Sequence, residues 1–312
     1  MKILVVSRLK STNKISIITK RQMSSLERLG HELSYFSIDK GGILGYLKAL
    51  FKLRKKLKNR DFDVVHAHYS LCGIISSLAG ARNLVVSLMG SDVKKSVFND
   101  FFVRYFVKNK WPKVVVKSDE MLASFQSHQT NSNETLVLPN GVDFNLFQPI
   151  DQKEAREKLG WNLDSKIVLF GSDPSRSEKR FDLAEKALNN LIDSKSQIEL
   201  KCLYNIEPED VPYYINGSDV VLLTSDREGS PNIIKEAMAC NVPIVTTSVG
   251  DVKKVIGSTL GCEVVSVNQA EIIANALSEI LSSTLIRTNG RENIQHLSDE
   301  HIAKSLIEFY EK

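Results

Sequence analysis

Short apolar, β-branched runs alternate with helical patterns along the whole chain. In the first half KILVVS, HELSYFSI, DVVHAHY, NLVVSLMG, KVVVKS and TLVLP predict strands. Amphipathic stretches separate them, and in ISIITKRQMSSLERLG the closing Gly30 suits the residue just past a helix end, where the backbone turns left-handed. The pattern halts at PNGVDFNLFQPIDQ, a cluster of Pro, Asn, Gly and Asp. It resumes with KIVLFGS, QIELKCLY, DVVLLTS, VPIVTTSVG and CEVVSV, each followed by a helical pattern, of which RFDLAEKALNNLI is the clearest. Strand then helix, repeated, implies parallel sheets covered on both faces. The expected fold class is therefore α/β, as two doubly wound parallel-sheet (Rossmann-like) domains at 1–146 and 147–297. In such sheets ligands bind beyond the carboxyl ends of the strands.

At ~150 residues per domain, a length of 312 agrees with two domains. With 42% apolar and 25% charged residues the composition is ordinary for a globular protein, so disorder and small disulfide scaffolds are excluded. Cys72, Cys202, Cys240 and Cys262 lie far apart and read as reduced thiols of a cytoplasmic protein. The apolar run of MKILVVSRLK is too short for a signal peptide, and no stretch reads as a spanning helix. Charge is divided: residues 1–150 hold 23 Lys and Arg against 11 Asp and Glu, a net +12, whereas the remainder holds 18 against 26, a net −8. Such a basic half faces nucleic acid, anionic lipid or a phosphorylated substrate, or is simply a solvated face.

No G-x-G-x-x-G follows a strand and no P-loop is present, which argues against dinucleotide oxidoreductases and P-loop NTPases. The most informative stretch is SDREGSPNIIKEAMACNVPIVTTSVGD, residues 225–251. After the strand DVVLLTS, Ser230 is expected as the helix cap and Pro231 as the first helical residue. First-turn N–H groups at such a helix start suit an anionic phosphate. Glu228 before the helix and Glu236 within it would bracket that group and accept hydrogen bonds from sugar hydroxyls. Taken singly, each Glu could equally belong to a surface loop or helix face. In SDPSRSEKRF, Arg176 and Lys179 lie three apart, where a fork donor and a point charge could neutralise a diphosphate.

The whole string resembles the family 4 retaining glycosyltransferases of GT-B fold. Their E-x7-E motif is matched by EGSPNIIKEAMA, and further matches run in order along the chain: DVVHAHY, LMGSDV, LPNGVD with Phe147 and Pro149, FGSDPSRSEKRFDLA and VPIVTTSVGD. The variety with SDP and EKRFDLA looks most like bacterial enzymes of cell-surface polysaccharide synthesis. The resemblance implies two domains facing across a cleft, with the last helix, at about 298–312, crossing back to the first. It implies that Glu236 binds the ribose of a nucleoside-diphosphate sugar and that Glu228 holds the transferred sugar. Gly171 and the run Gly229, Ser230, Pro231 and Asn232 then let backbone approach the donor, while Lys179 and Arg176 neutralise the diphosphate. On the acceptor side it implies Gly90, Ser91 and Asp92, with Lys14 and Ser16 at the border. Ser172 stands where Arg is usual and Met89 where relatives carry His, which opens a second reading, a catalytically inactive GT-B partner subunit that binds nucleotide sugar.

His66 and His68 spell H-x-H on one strand and read as core or cleft-lining rather than metal ligands. Asp61 and Asp63, a D-x-D, fall at the start of a strand, away from the ligand edge. Two basic segments remain: 48–60, with Leu50, Leu53 and Leu57 on one stripe, and 94–117, which interleaves cations with Phe98, Phe101, Phe102, Tyr105, Phe106 and Trp111. A cationic face with aromatic anchors suits an anionic bilayer. The expected activity is metal-independent, cofactor-free, retaining glycosyl transfer to a glycan or lipid-linked saccharide, by a cytoplasmic enzyme peripheral to the inner membrane. No nucleic-acid fold is recognised.

Overall fold

The computed structural model describes residues 1–9, 17–39, 42–59, 61–89, 97–126, 134–191, 197–285 and 287–312. The chain divides into two compact units, Met1–Gly141 with Asp299–Lys312, and Val142–Ser298. The division thus falls at Gly141 rather than at residue 146. Val142 already belongs to the second unit because its N–H donates to the Leu297 carbonyl and it pairs with Ser298 in an isolated bridge.

The first unit runs β1 (Lys2–Arg8), α1 (Ile17–Arg28), β2 (Glu32–Ile38), α2 (Ile43–Asn59), β3 (Val64–His68), α3 (Ser70–Ala79), β4 (Leu84–Ser87), α4 (Val97–Asn109), β5 (Lys113–Val116), α5 (Asp119–Gln126) and β6 (Glu134–Val137). All six predicted strands are present, in the parallel order β2-β1-β3-β4-β5-β6. Their central members are buried along their length, which is why they read as unbroken apolar runs rather than as alternation. Gly30 closes α1 at φ +85°, as the sequence predicts. Leu53 of α2 is buried, with Leu50 and Leu57 packed beside it against the core.

The second unit runs α6 (Gln152–Leu159), β7 (Lys166–Phe170), a 3-10 turn (Ser177–Lys179), α7 (Phe181–Leu191), β8 (Ile198–Cys202), α8 (Val211–Gly217), β9 (Val220–Leu223), α9 (Asn232–Ala239), β10 (Ile244–Thr247), α10 (Val252–Ile256), β11 (Cys262–Val265), α11 (Ala270–Ser282) and α12 (Gly290–Asn293). Its five predicted strands form a second parallel sheet, β11-β10-β9-β7-β8. The order reverses between β7 and β9, so the loops leaving these two strands diverge at the point where doubly wound sheets take ligands.

The last helix, α13 (Asp299–Glu311), returns to the first unit, as the resemblance implies. A fully buried polar chain holds it there: the Tyr310 hydroxyl lies 2.5 Å from His66 Nδ1, and His66 Nε2 lies 2.7 Å from Ser87 Oγ. His68 stacks on His66 with ring centroids 4.4 Å apart. Both histidines are core residues, and burial pushes the His68 imidazole down to about 3 and that of His66 well below its ordinary value. Asp63 lies at the opposite sheet edge, where its carboxylate accepts from the Lys2 N–H at 2.6 Å.

Two aromatics expected on a membrane face are instead interior. Trp111 is fully buried and donates to Ser77 Oγ at 3.1 Å, and Phe106 packs beside it. Phe106 lies on the face of α4 that turns toward the sheet, and Trp111, in the link from α4 to β5, fills the space beside it. Tyr105 is exposed, and the side chains of Phe98, Phe101 and Phe102 lie outside the described residues. Among the described residues no helix is long and apolar enough to cross a membrane.

Candidate functional site

Three loops at the carboxyl edge of the second sheet carry the predicted donor residues. The loop after β7 supplies 171–180, that after β9 supplies 224–231, and that after β10 supplies 248–251. They are stitched together by their own backbones. Thr224 Oγ1 lies 2.9 Å from the carbonyls of both Lys179 and Arg180. The Asp226 N–H donates to the Glu178 carbonyl at 3.0 Å, and Thr247 Oγ1 donates to the Ser225 carbonyl at 2.7 Å. Arg180 stands at φ +53° and reaches Asp226 and Asp182, each at 3.0 Å, bracing the loop.

Within this frame Lys179 and Glu228, 49 positions apart, meet. Lys179 Nζ donates to Glu228 Oε1 at 2.5 Å, and Ser225 Oγ donates to the same oxygen at 2.8 Å. Both charged side chains are mostly buried, with 12% and 16% of their surfaces exposed. Enclosure strengthens the Coulomb term relative to an exposed pair and leaves the second carboxylate oxygen as an acceptor. Arg176 points elsewhere: it is exposed and ion-paired to Glu178 two residues on. Glu236 sits half-buried on α9, one turn past the helix start.

The helix start differs from the sequence expectation. Pro231, with extended backbone at φ −69° and ψ 123°, occupies the cap position, and Asn232 opens α9. Ser230 cannot cap because its hydroxyl is already committed, donating to Asp251 Oδ2 at 2.6 Å and accepting from Lys235 Nζ at 2.8 Å. Pro231 has no side-chain acceptor, so the cap residue offers the first-turn N–H groups no oxygen, and this end of α9 keeps the character of an anion seat. Gly171 lets the helix come close: a Cβ there would lie 2.6 Å from Ile233 Cγ1. At Gly250, φ +54° brings the turn after β10 against the Gly229 carbonyl, where a side chain has no room.

Lys235 was not singled out by sequence reasoning. It is 1% exposed, on the packed face of α9 between Ile234 and Ala237. The available signal was a lysine where the 3.6-residue spacing calls for an apolar side chain. On the acceptor side Gly90, Ser91, Asp92, Lys14 and Ser16 lie outside the described residues. At the carboxyl end of the neighbouring strands, Ser7 and His68 are buried, and among the described residues neither Ser7 Oγ nor either His68 ring nitrogen makes a hydrogen bond. The same holds for Thr19 and Gln22 on α1. Among the described residues no three His, Cys, Asp or Glu side chains gather as metal ligands.

Two parallel-sheet α/β units with a loop-built polar site place the chain in the GT-B fold. HepE of Anabaena, solved with UDP and glucose, superposes with a TM-score of 0.81 at 17% identity, covering 100% of both chains. Sucrose-phosphate synthase from Thermosynechococcus elongatus gives 0.81 at 17% identity over 100% of this chain and 98% of its own. Residues 12–146 match the model described as Glycosyltransferase Family 4, and residues 152–283 match that of the glycosyl transferases group 1. The chain belongs to the GT-B glycosyltransferases of the family 4 type. TuaC of Bacillus subtilis, provisionally named a teichuronic acid biosynthesis glycosyltransferase, is 27% identical over 230 residues, 65% of this chain and 58% of its own. The UDP-Gal:alpha-D-GlcNAc-diphosphoundecaprenol alpha-1,3-galactosyltransferase of Escherichia coli is 24% identical over 277 residues, 77% of this chain and 72% of its own.

Proposed function

We propose that the chain transfers a sugar from a nucleoside-diphosphate sugar to a hydroxyl of a glycan or lipid-linked saccharide in bacterial surface-polysaccharide synthesis, retaining anomeric configuration. The single observation that carries this reading is the Lys179–Glu228 pair beside the start of α9, with Glu236 on the same helix. The bond between the anomeric carbon and the diphosphate oxygen breaks, and the acceptor oxygen bonds that carbon from the same side. Its proton goes to the departing diphosphate. Charge builds on the leaving group, so Lys179, the α9 N–H groups and Arg176, after rotation away from Glu178, supply the stabilisation, and no metal ion is assigned a role. Glu228 holds the transferred sugar, Glu236 the ribose, and the Gly171 and Gly229–Asn232 backbone approaches both. The acceptor hydroxyls are assigned to the first unit.

The acceptor side is also where we place an anionic membrane. On α2, Leu44, Leu47 and Phe51 are 75%, 47% and 68% exposed, among the exposed cations Lys48, Lys52, Arg54, Lys55 and Lys58. An apolar stripe ringed by cations fits the headgroup region of an anionic leaflet, with the enzyme peripheral on its cytoplasmic face.

The test is nucleotide-sugar binding and transfer by purified protein. Glu236→Ala is expected to weaken donor binding about tenfold, and Lys179→Ala to lower kcat by about a hundredfold or more. Unchanged constants in either variant remove that residue's role, and tight donor binding by the wild type without transfer favours the inactive partner subunit.

A further inference from the structure

Lys235 costs the fold twice. Its ammonium is withdrawn from water on a face otherwise made of Ile233, Ile234, Ala237 and Met238. It also reaches back past the start of its own helix, where the macrodipole disfavours a cation. An apolar residue would avoid both penalties. What offsets them is a short polar chain: Lys235 Nζ donates to Ser230 Oγ at 2.8 Å, and Ser230 Oγ donates to Asp251 Oδ2 at 2.6 Å. Asp251 is itself buried enough that its carboxyl is raised, with the Lys235 charge acting against the rise.

The chain joins two loops and a helix. Ser230 lies two residues after Glu228 and one before Pro231, and Asp251 ends the turn after β10, just before α10. Beside it the Gly250 and Gly229 backbones touch. The Ser230 hydroxyl and that backbone contact tie the segment 228–231 to the turn after β10, while Thr247 Oγ1 holds the same loop earlier, at the Ser225 carbonyl.

We propose that Lys235 and Asp251 are positioning residues for donor binding: through the Ser230 hydroxyl they clamp the 228–231 segment against the turn after β10 and so set where Glu228 and the α9 N–H groups stand. This rests on the donor reading given above. Neither residue touches the substrate. A buried ion pair bridged by one hydroxyl fixes a loop in a single register, whereas apolar packing would allow it to slide.

The experiment uses full-length protein with UDP, GDP and ADP as probes, and the variants Lys235→Met, Asp251→Asn, Ser230→Ala and the double variant Lys235→Met/Asp251→Asn, which leaves no uncompensated buried charge. Ser230→Ala and the double variant are expected to raise Kd for the probe that wild type binds, and donor KM, by about tenfold, with kcat falling by less than the about hundredfold expected of Lys179→Ala. The double variant should be no worse than the worse single one, since all cut the same chain. Hydrogen exchange of the 228–232 amides should speed up in each variant while that of β7 and β9 stays unchanged. Wild-type constants together with wild-type exchange in Ser230→Ala and the double variant overturn the proposal, as does a purely multiplicative double variant. If wild type binds none of the probes, the donor reading fails separately, and amide exchange alone decides whether the clamp exists.

Discussion

Acidification from pH 7.5 to 5.5 should destabilise the first unit specifically, by an amount that its two buried histidines determine. Both rings are fully buried and held neutral: His68 titrates at about 3 and His66 well below its ordinary 6.5, each because desolvation opposes the charged form, with Lys117 adding repulsion. In the unfolded chain both titrate near 6.5. The folded values are depressed, so their contribution is present above pH 6.5 and lost as pH falls below it, because only the unfolded chain takes up the protons. A histidine that is neutral when folded and ordinary when unfolded loses roughly 1–2 kcal/mol at pH 5.5 and almost nothing at pH 7.5, so the pair together should cost a few kcal/mol. The two tryptophans provide the assay, since Trp111 lies in the core of the first unit and Trp161 in the second. Urea denaturation followed by Trp111 fluorescence in a Trp161→Phe background should show the full loss. Among the described residues His68 makes no hydrogen bond, so His68→Met removes its proton uptake with little else and should cut the loss by about half. An undiminished pH dependence in His68→Met would refute the assignment, as would a pH-independent wild type.

On anionic vesicles at low salt, Lys48→Glu/Lys52→Glu/Lys55→Glu should lose at least ~3 kcal/mol of partitioning, a factor of about 150, and Phe51→Ser should weaken retention at every salt concentration. Equal sedimentation of the variants and wild type would remove the membrane role of α2. Gly171→Ala pushes a methyl into Ile233 Cγ1 and should cost ~1–3 kcal/mol, a cost largely absent in an Ile233→Ala background, where both γ carbons are gone. Thermal unfolding reads this directly, and an unshifted Tm would show that α9 gives way without strain.

Strand identity was legible because parallel strands buried on both faces must be apolar throughout, as the central strands of both sheets are, while the edge strands β2, β6, β8 and β11 keep polar residues and were read from their β-branched and aromatic content. The motif E-x7-E was legible for a different reason, since it lies within one loop and one helix, where spacing in sequence is spacing in space. The cap on α9 was misread because local preference favours Ser230, while Lys235 and Asp251 compete for its hydroxyl. Phe106 and Trp111 were likewise read from composition, which cannot say which side of α4, or of the link that follows it, the sheet covers.

Sequence alone determined the two-sheet α/β architecture, the site string and the imbalance of charge, all of them properties of periodicity and short-range order. Only the tertiary structure decided that Lys179 meets Glu228 across 49 positions, that Tyr310 closes on His66 across 244, and that Lys235 reaches Asp251 through Ser230. Those pairings arise where chain crossovers bring strand ends together, and the hydrophobic pattern that drives the crossovers carries no record of which polar groups will face one another once the sheet has formed.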